Sequence, residues 1–542
     1  MSASSRGELA LLRVAVAEAA AHAAGLAEPP AAVTVEAPRQ AEHGDYATNA
    51  ALVCAKQAGR NPRELAQEIV THMRERFGDA LTFAEVAGPG FINLRLADEW
   101  YGIALGNVLA LGSDFGGQVV DQPESINVEF VSANPTGPMH VGHGRNAAYG
   151  DALCRTLEFA GHNVVREFYI NDFGSQVDRF GETLRARAEG KEVPEGGYQG
   201  AYIDQLVAAI DDAGAITDRQ LADRGVELVL AMIAKTLTAM RVDIGTWFSE
   251  RSLHDDDRFE AAIGKLEAAG KTFEDEGALW LRTSDLGDDK DRVLRRSNGE
   301  YTYFATDIAY HADKFARGAD RLIDVWGADH HGYIGRMRAA VQALGTDPER
   351  FEPVIMQLVN LTEGGERVQM SKRAGEFVAV DDLLDDIGVD ALRFFLVQRS
   401  HDTTMDLDLA LAREQSDKNP VFYVQYAHAR ICSILRRSGD VRPAGSHDAT
   451  PYGELHASEK ALVRKLLDFP GEILEAVERR SPHRLTIYSR DLAADFAAFY
   501  RDCQVVGSAA GEESFRLALC IATRDVLARS LDLLGVSAPE QM

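Results

Sequence analysis

The sequence predicts an α/β protein in three parts: an N-terminal α+β domain, a central domain on a Rossmann-like parallel sheet with a helical insertion, and a C-terminal all-α bundle. Three observations predict it. A short apolar run is followed by a Pro- and Gly-rich turn, a helical pattern and a second apolar run, which is how a doubly wound parallel sheet begins. Amphipathic helical patterns dominate from about residue 417. The 542 residues suffice for about three or four domains.

The N-terminal domain is expected to span residues 1–112. Residues 7–24 are rich in Ala, Leu and Glu and predict a helix. Asn61 and Pro62 predict the capped start of another helix, over 63–70. A Gly-Pro-Gly turn precedes a predicted strand at 91–96. The buried stripe expected in the first helix consists of Leu9, Leu12, Val16 and Ala19.

The central domain is expected to span residues 118–415, and the C-terminal bundle residues 416–542. A mostly helical, charged segment at about 181–286 is expected to be an insertion between two halves of one nucleotide-binding fold. The remaining elements predicted for the central domain are strands at 126–131, 164–170, 322–326 and 354–361 and a helix at 142–160.

Charge and composition limit the classes of partner. The chain is 46% hydrophobic and 26% charged, which is ordinary for a globular protein. Its formal net charge of −27 argues against general binding of nucleic acid. Residues 421–542, however, carry 15 Lys and Arg against 16 Asp and Glu, so the acidic excess lies in the first 420 residues. Local basic patches can therefore still hold RNA.

Cysteine spacing and hydropathy indicate the cellular compartment in which the protein is expected to act. The five cysteines form no C-x-x-C pair, so neither a disulfide framework nor a cysteine zinc site is predicted, and a reducing cytoplasm is expected. Charged residues interrupt the Ala-rich N-terminus, and no run of about 18 apolar residues occurs. We therefore expect neither a secretory segment nor a membrane span.

The strongest chemical signal is the tetrapeptide His140-Val141-Gly142-His143, placed after a predicted strand at the start of a helix. Gly142 allows a ligand close to the backbone, and the helix start offers N–H groups to phosphate. Imidazoles at His140 and His143 can donate hydrogen bonds as charge develops on a triphosphate. The alternative is that the two histidines only cap the helix or pack in the core.

A second element is the loop predicted at residues 368–375, VQMSKRAG. Lys372 supplies a point charge suited to a triphosphate, and a loop flanked by Gly can close over ATP. A solvated basic loop is the alternative. Together with the first element, the pair resembles the two signatures of class I aminoacyl-tRNA synthetases. The resemblance implies that Met370, Ser371 and Lys372 bind ATP. The chain departs from the family in having Gln369 where a Lys is usual.

Further segments, in the same order along the chain, resemble the arginyl members of that family. The resemblance implies that Glu129, Asn134, Tyr303 and Asp307 bind arginine, and that His330 lies near the substrate. A guanidinium is planar, has five donors and is always charged, so carboxylates and neutral acceptors suit it. The matching segments are 128–145 (VEFVSANPTGPMHVGHGR), 169–174 (YINDFG), 301–310 (YTYFATDIAY), 326–332 (WGADHHG) and 390–393 (DALR).

Each pocket residue has an alternative role. Glu129 could pair with a structural Arg, and Tyr303 could be a core aromatic with a satisfied hydroxyl. Asp329, His330 and His331 could suggest a metal ion, but adjacent histidines rarely both reach one ion without a third spaced ligand, so no protein metal site is expected.

The resemblance implies a two-step ligase reaction. The arginine carboxylate attacks the α-phosphorus of ATP, pyrophosphate leaves, and a ribose hydroxyl at the 3′ end of tRNA(Arg) takes the arginyl group. Mg²⁺ is expected with the triphosphate. The family trait that tRNA binds before arginine is activated is carried over as an expectation. A guanidinium site that rejects wrong substrates explains why no large editing domain is predicted.

The resemblance implies that the C-terminal bundle holds the anticodon and that the N-terminal domain, residues 1–112, contacts the outer corner of the tRNA. Tyr423, Tyr426 and His428 offer stacking surfaces for unpaired bases, unless they are core residues at helical spacing. Arg430 and Arg436 are the cations singled out for tRNA, unless they lie on a merely solvated face. The other basic residues noted there are Arg437, Arg464, Lys465, Arg479, Arg480 and Arg484. A monomer is expected.

Three other functions stay open at this point. The chain could be a class I synthetase for another amino acid, such as cysteine or glutamate. It could be a tRNA-binding paralogue without catalysis, which Gln369 alone favours. A small-molecule nucleotidyltransferase also uses H-x-G-H but has no use for the helical region after residue 417.

Overall fold

The structure is a computed structural model, and it describes residues 7–38, 40–255, 257–367, 378–439 and 453–542. The N-terminal part is a four-stranded antiparallel sheet packed with helices, in the strand order β1-β2-β4-β3. Its elements are α1 (Glu8–Ala24), β1 (Val35–Glu36), β2 (Tyr46–Thr48), α2 (Ala50–Ala58), α3 (Pro62–Phe77), β3 (Leu81–Ala87), β4 (Phe91–Leu96) and α4 (Asp98–Leu111).

Local signals in this part are confirmed. The side chain of Asn61 accepts hydrogen bonds from the backbone N–H groups of Arg63 and Glu64, and Pro62 is the first residue of α3. The predicted stripe of α1 is buried. Strand β2 was not predicted, because its three residues are too few to show an alternating pattern.

The central part is built on a five-stranded, wholly parallel sheet in the order β12-β11-β5-β6-β7, which confirms the predicted Rossmann-like fold. Its elements are β5 (Ser125–Glu129), α5 (Val141–Ala160), β6 (Asn163–Ile170), α6 (Ser175–Ala188), α7 (Ala201–Ala209), α8 (Asp218–Ala239), β7 (Thr246–Ser249), α9 (Arg251–Asp255), α10 (Arg258–Ala268), β8 (Thr272–Asp275), β9 (Ala278–Leu281), β10 (Arg292–Arg295), α11 (Tyr303–Ala316), β11 (Arg321–Gly327), α12 (Ile334–Ala343), β12 (Phe351–Met356), β13 (Val359–Glu363), β14 (Glu366–Arg367), α13 (Val380–Val397), β15 (Met405–Asp408) and α14 (Leu409–Arg413).

Two predictions about this part were wrong in detail. The run 354–361 is not one strand, since β12 ends at Met356 and β13 begins a separate small sheet, β14-β13-β15. The segment 181–286 is mostly helical, as predicted, but it is not wholly an insertion, because β7 within it is an edge strand of the central sheet. Strand β7 has only four residues and lies between long helical patterns, so the helical signal hid it.

The C-terminal part is all-α among the residues that the structure describes there, and it packs on both other parts. Arg464 pairs with Asp45 of the N-terminal part at 2.9 Å, and Arg480 pairs with Glu352 of the central sheet at 2.8 Å. No helix in the described ranges is long and apolar enough to cross a bilayer. The five helices are α15 (Pro420–Arg437), α16 (Ala457–Leu467), α17 (Phe469–Glu478), α18 (His483–Asp502) and α19 (Ala510–Leu533).

Arg393, the last residue of the DALR segment, joins the parts from within the second half of α13, beyond a break at Gly388. Its side chain is fully buried. It donates to the backbone oxygens of Leu534 and Met240, both at 2.8 Å, and to the carboxylate of Asp151 at 2.5 Å. The segment after α19 is thereby tied to α5 of the central part.

Candidate active site

The site lies where the order of the central sheet reverses. Strand β5 is paired on one side with β6 and on the other with β11, so the helices that follow these strands leave a crevice at their carboxyl ends. Glu129 is the last residue of β5, and His140 is the N-cap of α5. The acidic residue and the histidines predicted to act together therefore flank the same crevice.

His140 and His143 form the N-terminal turn of α5. Nδ1 of His140 accepts from the backbone N–H of Gly142 at 3.1 Å and of His143 at 3.4 Å. Nδ1 of His143 accepts from the N–H of His140 at 3.4 Å, which completes a reciprocal capping box. Because each Nδ1 is an acceptor, a neutral ring carries its hydrogen on Nε2.

Both imidazoles are held neutral. Burial lowers the pKa of His140. Burial, together with the nearby His140, lowers the pKa of His143 to about 3. The pair therefore presents N–H donors without adding positive charge, a combination suited to an anion that is bound by hydrogen bonding alone.

Gly142 leaves room for the ring of His140 within the turn. A Cβ atom at this position would lie 3.0 Å from Cε1 and 3.1 Å from Nδ1 of His140. The sequence suggested close approach of a ligand to the backbone, whereas the structure shows close approach of the His140 ring.

The turn after β5 has an unusual backbone. Val131 has φ 69° and Ser132 φ 38°, and such values are costly for a β-branched residue. Asn146 of α5 stabilises this turn, since its Oδ1 accepts from the N–H of Val131 at 2.6 Å and its Nδ2 donates to the oxygen of Val325 at 2.9 Å. The strained turn places the hydroxyl of Ser132 beside the carboxylate of Glu129.

Glu129 is buried and is already paired with a cation. Lys314 Nζ donates to its Oε2 at 2.6 Å, and Ser132 Oγ donates to its Oε1 at 2.8 Å. The structural partner considered from sequence therefore exists, but it is a Lys. A carboxylate offers about four acceptor positions, so Glu129 retains the capacity to bind a further donor.

Asp307 faces the same crevice as Glu129. Burial raises the pKa of Asp307 to about 6, and the charge of Glu129 contributes to the rise. Its Oδ2 accepts a hydrogen bond from the hydroxyl of Tyr333. Tyr303, one turn earlier on α11, is 56% exposed and lies 3.2 Å from Ser175 Oγ, so its ring is not a core aromatic.

Glu250, which follows β7, is a further carboxylate of the crevice that the sequence did not reveal. Its side chain is hydrogen-bonded to Tyr169, and Oε2 lies 3.0 Å from the side-chain amide nitrogen of Asn171 in its favoured orientation. Burial raises the pKa of Glu250 to about 7, and the charges of Asp307 and Asp172 add to the rise. Because Asp307 and Glu250 are both buried carboxyl groups with raised pKa values, the crevice favours a cationic ligand.

Asn134 and His330 lie at the exposed rim. Asn134 is exposed in the turn before α5, beside Asn171. The ring of His330 packs against Trp326 with 5.7 Å between centroids, and its charge lowers the pKa of Asp307. Within the described ranges, no group of three or more His, Cys, Asp or Glu is placed to hold a metal ion.

The predicted signature loop, with Met370, Ser371 and Lys372, lies outside the described residues. The described residues after it return to the crevice. Ala379 forms an isolated β-bridge with His140, and the N–H of Val380 donates to the oxygen of Met139 at 2.9 Å.

A second candidate site is an aromatic cavity between α15 and α18. Arg430 lies 4.7 Å from the ring centroid of Tyr426 and donates to its hydroxyl at 2.8 Å. Tyr426 is 43% exposed. The cavity measures about 180 Å³ and is lined by Asp417, Phe422, Tyr423, Tyr426, Ala427, Arg430, Ala493, Phe496 and Ala497.

Two other predicted RNA contacts are engaged within the protein. His428 is buried, and its Nδ1 lies 2.9 Å from the oxygen of Pro539, so the prediction of a stacking surface there was wrong. Both terminal nitrogens of Arg436 donate to the oxygen of Glu540 at 3.3 Å. The helical spacing of residues in the sequence does not reveal that His428 is buried or that His428 and Arg436 contact backbone oxygens.

Three family models match the chain in succession. The Arginyl tRNA synthetase N terminal domain matches residues 10–96, the tRNA synthetases class I (R) catalytic domain matches 105–199 and 223–414, and the DALR anticodon binding domain matches 424–542.

Whole-chain comparisons agree. The chain is 45% identical to an arginine–tRNA ligase of Desulfitobacterium hafniense over 94% of this chain and 93% of that one. It is 44% identical to one of Heliobacterium modesticaldum over 95% and 94%. The solved arginyl-tRNA synthetase of Thermus thermophilus superposes with a TM-score of 0.78 at 27% identity, covering 98% of this chain and 100% of that one.

The parallel sheet with paired histidines at the first helix after its switch point defines a class I aminoacyl-tRNA synthetase catalytic domain. Matching domains occur in order along the chain, and relatives at more than 40% identity cover nearly all of it. The chain belongs to the arginyl-tRNA synthetase family.

Proposed function

We propose that the chain is an arginine–tRNA ligase whose amino acid pocket is the acidic crevice at the carboxyl end of β5. One observation supports this proposal most strongly. Three buried acidic side chains, those of Glu129, Asp307 and Glu250, lie in one crevice. The neutral imidazoles of His140 and His143 lie beside them. Buried carboxylates suit a guanidinium and an ammonium, and neutral imidazoles suit a triphosphate.

Arginine is proposed to bind between the carboxylates. Glu129, Asp307 and Glu250 take its two cationic groups, and the hydroxyl of Tyr303 closes the rim. Asn134 and His330 are proposed to complete the polar border of the pocket. An amino acid without a guanidinium leaves these buried carboxyl groups unpaired, which is the basis of selectivity.

ATP is proposed to bind at the first turn of α5. The helix start and the Nε2–H groups of His140 and His143 hold the phosphates, and Gly142 keeps the His140 ring in place. Lys372, with Met370 and Ser371, is proposed to approach the same phosphates, which the bridge between Ala379 and His140 supports. Mg²⁺ bound by the triphosphate would offset the charge of the departing pyrophosphate.

The proposed chemistry is positioning and charge stabilisation. A carboxylate oxygen of arginine forms a bond to the α-phosphorus as the bond to pyrophosphate breaks. A ribose hydroxyl at the 3′ end of tRNA(Arg) then attacks the arginyl carbonyl, AMP leaves, and the hydroxyl proton is released. The neutral histidines donate hydrogen bonds to phosphate in the first step without changing their own protonation state.

The aromatic cavity of the bundle is proposed to hold an unpaired base of the anticodon loop, with Tyr426 and Tyr423 as stacking surfaces and Arg430 as the cation. Arg436 is proposed to make a weaker contact with the tRNA. The domain limits proposed are 1–112 for the N-terminal domain, 118–415 for catalysis and 416–542 for the anticodon. We propose a monomer that acts in the cytoplasm, where buried thiols stay reduced.

Aminoacylation with labelled arginine, ATP and tRNA(Arg) tests the proposal. Arginine should be the one amino acid accepted from a panel that includes lysine, cysteine and glutamate. Asp307→Asn should raise the KM for arginine, whereas Asp313→Asn, on the same helix but paired with Arg258 and Arg317, should not. Charging of another amino acid, or no charging by wild-type protein, would refute the proposed function.

A further inference from the structure

Three carboxylates form a row across the centre of the parallel sheet. Asp324 of β11 is the register partner of Glu129 of β5, and Glu129 is the register partner of Glu167 of β6. Residues in register on adjacent strands point to the same face, so the three side chains lie side by side. All three are buried. Like charges at this spacing destabilise a sheet unless cations separate them.

Helix α11 covers the row and supplies the cations. Lys314 bridges Glu129 and Asp324, with its Nζ 2.6 Å from Oε2 of the first and 2.8 Å from Oδ1 of the second. At the other end of the row, Arg317, the residue that follows α11, makes two hydrogen bonds to Glu167, at 2.6 and 2.9 Å. The helix and its C-cap residue thus neutralise charges on three neighbouring strands.

The side chain of Lys314 has no solvent exposure. Burial disfavours its charge, but Asp324 and Glu129 outweigh burial and raise the pKa of Lys314 above its ordinary value. Burial likewise opposes the charge of Asp324, and Lys314 with His311 outweighs it and lowers the pKa of Asp324 to about 2. The bridge is therefore ionic at neutral pH.

The position of Lys314 on α11 links the row to the pocket. Tyr303, Asp307, His311 and Lys314 recur at spacings of three or four residues, so they share one face of the helix. His311 lies 2.9 Å from Oδ2 of Asp324 and 2.7 Å from the backbone oxygen of Asp307. The same helix face therefore carries Asp307 and fixes the orientation of Glu129.

We propose that Lys314 is a positioning residue for arginine: it holds Oε2 of Glu129 so that the Oε1 edge, supported by Ser132, is presented to the substrate's cationic group. This inference rests on the proposed arginine pocket. Without Lys314, Glu129 and Asp324 become adjacent buried anions with no cation between them, and Glu129 must rotate or take up a proton. Either change weakens arginine binding while leaving the ATP turn at His140 in place.

The variant Lys314→Met removes the charge and keeps an unbranched side chain that is shorter only by the terminal ammonium. We expect the KM for arginine to rise about tenfold or more, the size expected for an uncompensated buried carboxylate, with the KM for ATP changed less than about twofold. Arg317→Met, at the C-cap of the same helix, is the matched control, because Glu167 is not a proposed pocket residue. It should lower thermal stability without this selective change in KM.

A double-mutant cycle separates positioning from a structural role. In a Glu129→Gln background, Lys314→Met should raise the KM for arginine by less than about twofold, since the group through which it acts is gone. An equal rise in both backgrounds, or an equal rise in Arg317→Met, overturns the proposal. If Lys314→Met does not fold, Lys314→Gln, which keeps a donor without the charge, is tested by the same criteria.

The proposed pocket and the proposed role of Lys314 can be refuted separately. If Glu129→Gln alone leaves the KM for arginine unchanged, the proposed pocket is wrong. If Glu129→Gln raises that KM but neither Lys314 variant does, the pocket stands and only the role of Lys314 is refuted.

Discussion

His140 and His143 stack face to face at the first turn of α5, with ring centroids 3.7 Å apart and planes inclined by 20°. Two stacked imidazolium ions would repel each other, so the arrangement excludes a charge on both rings, and the lowered pKa values of the two histidines leave both rings neutral at pH 7. It also gives His140 two separable roles, as the cap of a helix and as a donor from Nε2.

Replacement of His140 should separate these roles. His140→Asn keeps an N-cap acceptor, so thermal stability should stay near wild type, whereas His140→Ala should lose about 0.5–2 kcal/mol of stability. Both variants lack the Nε2–H donor, and kcat for aminoacylation should fall by about 10²–10³ in each. Thermal unfolding and steady-state kinetics measure the two effects. An Asn variant with near wild-type kcat would show that His140 is only a cap.

Gly142→Ala should displace the His140 ring, because the added Cβ would lie 3.0 Å from it. We expect kcat to fall by about tenfold or more, with a small effect on folding, since small misplacements of catalytic groups are costly. Gly264→Ala is the control: it also lies inside a helix, α10, with nothing within 4 Å of the new Cβ. It should keep wild-type kinetics. Equal kinetics for both variants would contradict the contact argument.

Arginine binding should depend on pH through Glu250 and Asp307. Burial raises their pKa values, to about 7 and about 6, and the two cationic groups of bound arginine favour the ionised form of both carboxyl groups. Below these values binding must first release protons, so the KM for arginine should rise as pH falls through 7 and 6 and level off above about pH 8. The KM for ATP serves as the internal reference. Glu250→Gln should remove the inflection near 7, and its persistence would exclude Glu250 from the pocket.

Asn146→Ala should release the strained turn at Val131. Loss of both hydrogen bonds leaves buried backbone groups unpaired, which costs about 1–3 kcal/mol of stability, and the shifted turn should raise the KM for arginine. Thr156→Val, which removes a buried 2.7 Å bond within the same helix, should reduce stability without changing that KM. If Asn146→Ala lowers thermal stability but leaves the KM for arginine unchanged, the turn does not determine the geometry of the arginine pocket.

The aromatic cavity of the bundle predicts a defect in tRNA binding alone. Tyr426→Ala and Arg430→Ala should each raise the KM for tRNA(Arg) by about tenfold, as expected for a lost stacking surface, and leave the KM for arginine and ATP unchanged. Arg479→Ala, at an exposed arginine paired with Glu475, controls for loss of surface charge. A similar rise in the Arg479 variant would point to general electrostatics rather than a base pocket.

Features with a local cause were predictable from the sequence. The cap at Asn61, the strand that ends in Glu129 and the helix that begins at His140 each depend on residues close together in the chain. The alternation of predicted strands and helices along the chain predicted the parallel sheet.

Features that depend on contacts between distant segments were not predictable. Glu250 follows a four-residue strand inside a helical region, so nothing near it in the sequence marks it as part of the crevice. The bridge from Lys314 to Glu129 joins residues 185 positions apart. His428 has the spacing of a surface aromatic, yet the segment after α19 covers it. These outcomes depend on tertiary packing, which a periodic pattern does not encode.

The hydrogen bonds from Arg393 to the segment after α19 predict where mutations that reduce activity should be found. A methyl group at Gly535 would fall 2.2 Å from the guanidinium carbon of Arg393, which also donates a hydrogen bond to Asp151 of α5. A substitution there alters neither substrate pocket directly, yet its strain passes to the helix that presents the histidines. A screen for lost adenylate formation should therefore recover alleles at Gly535, far along the chain from any reacting group.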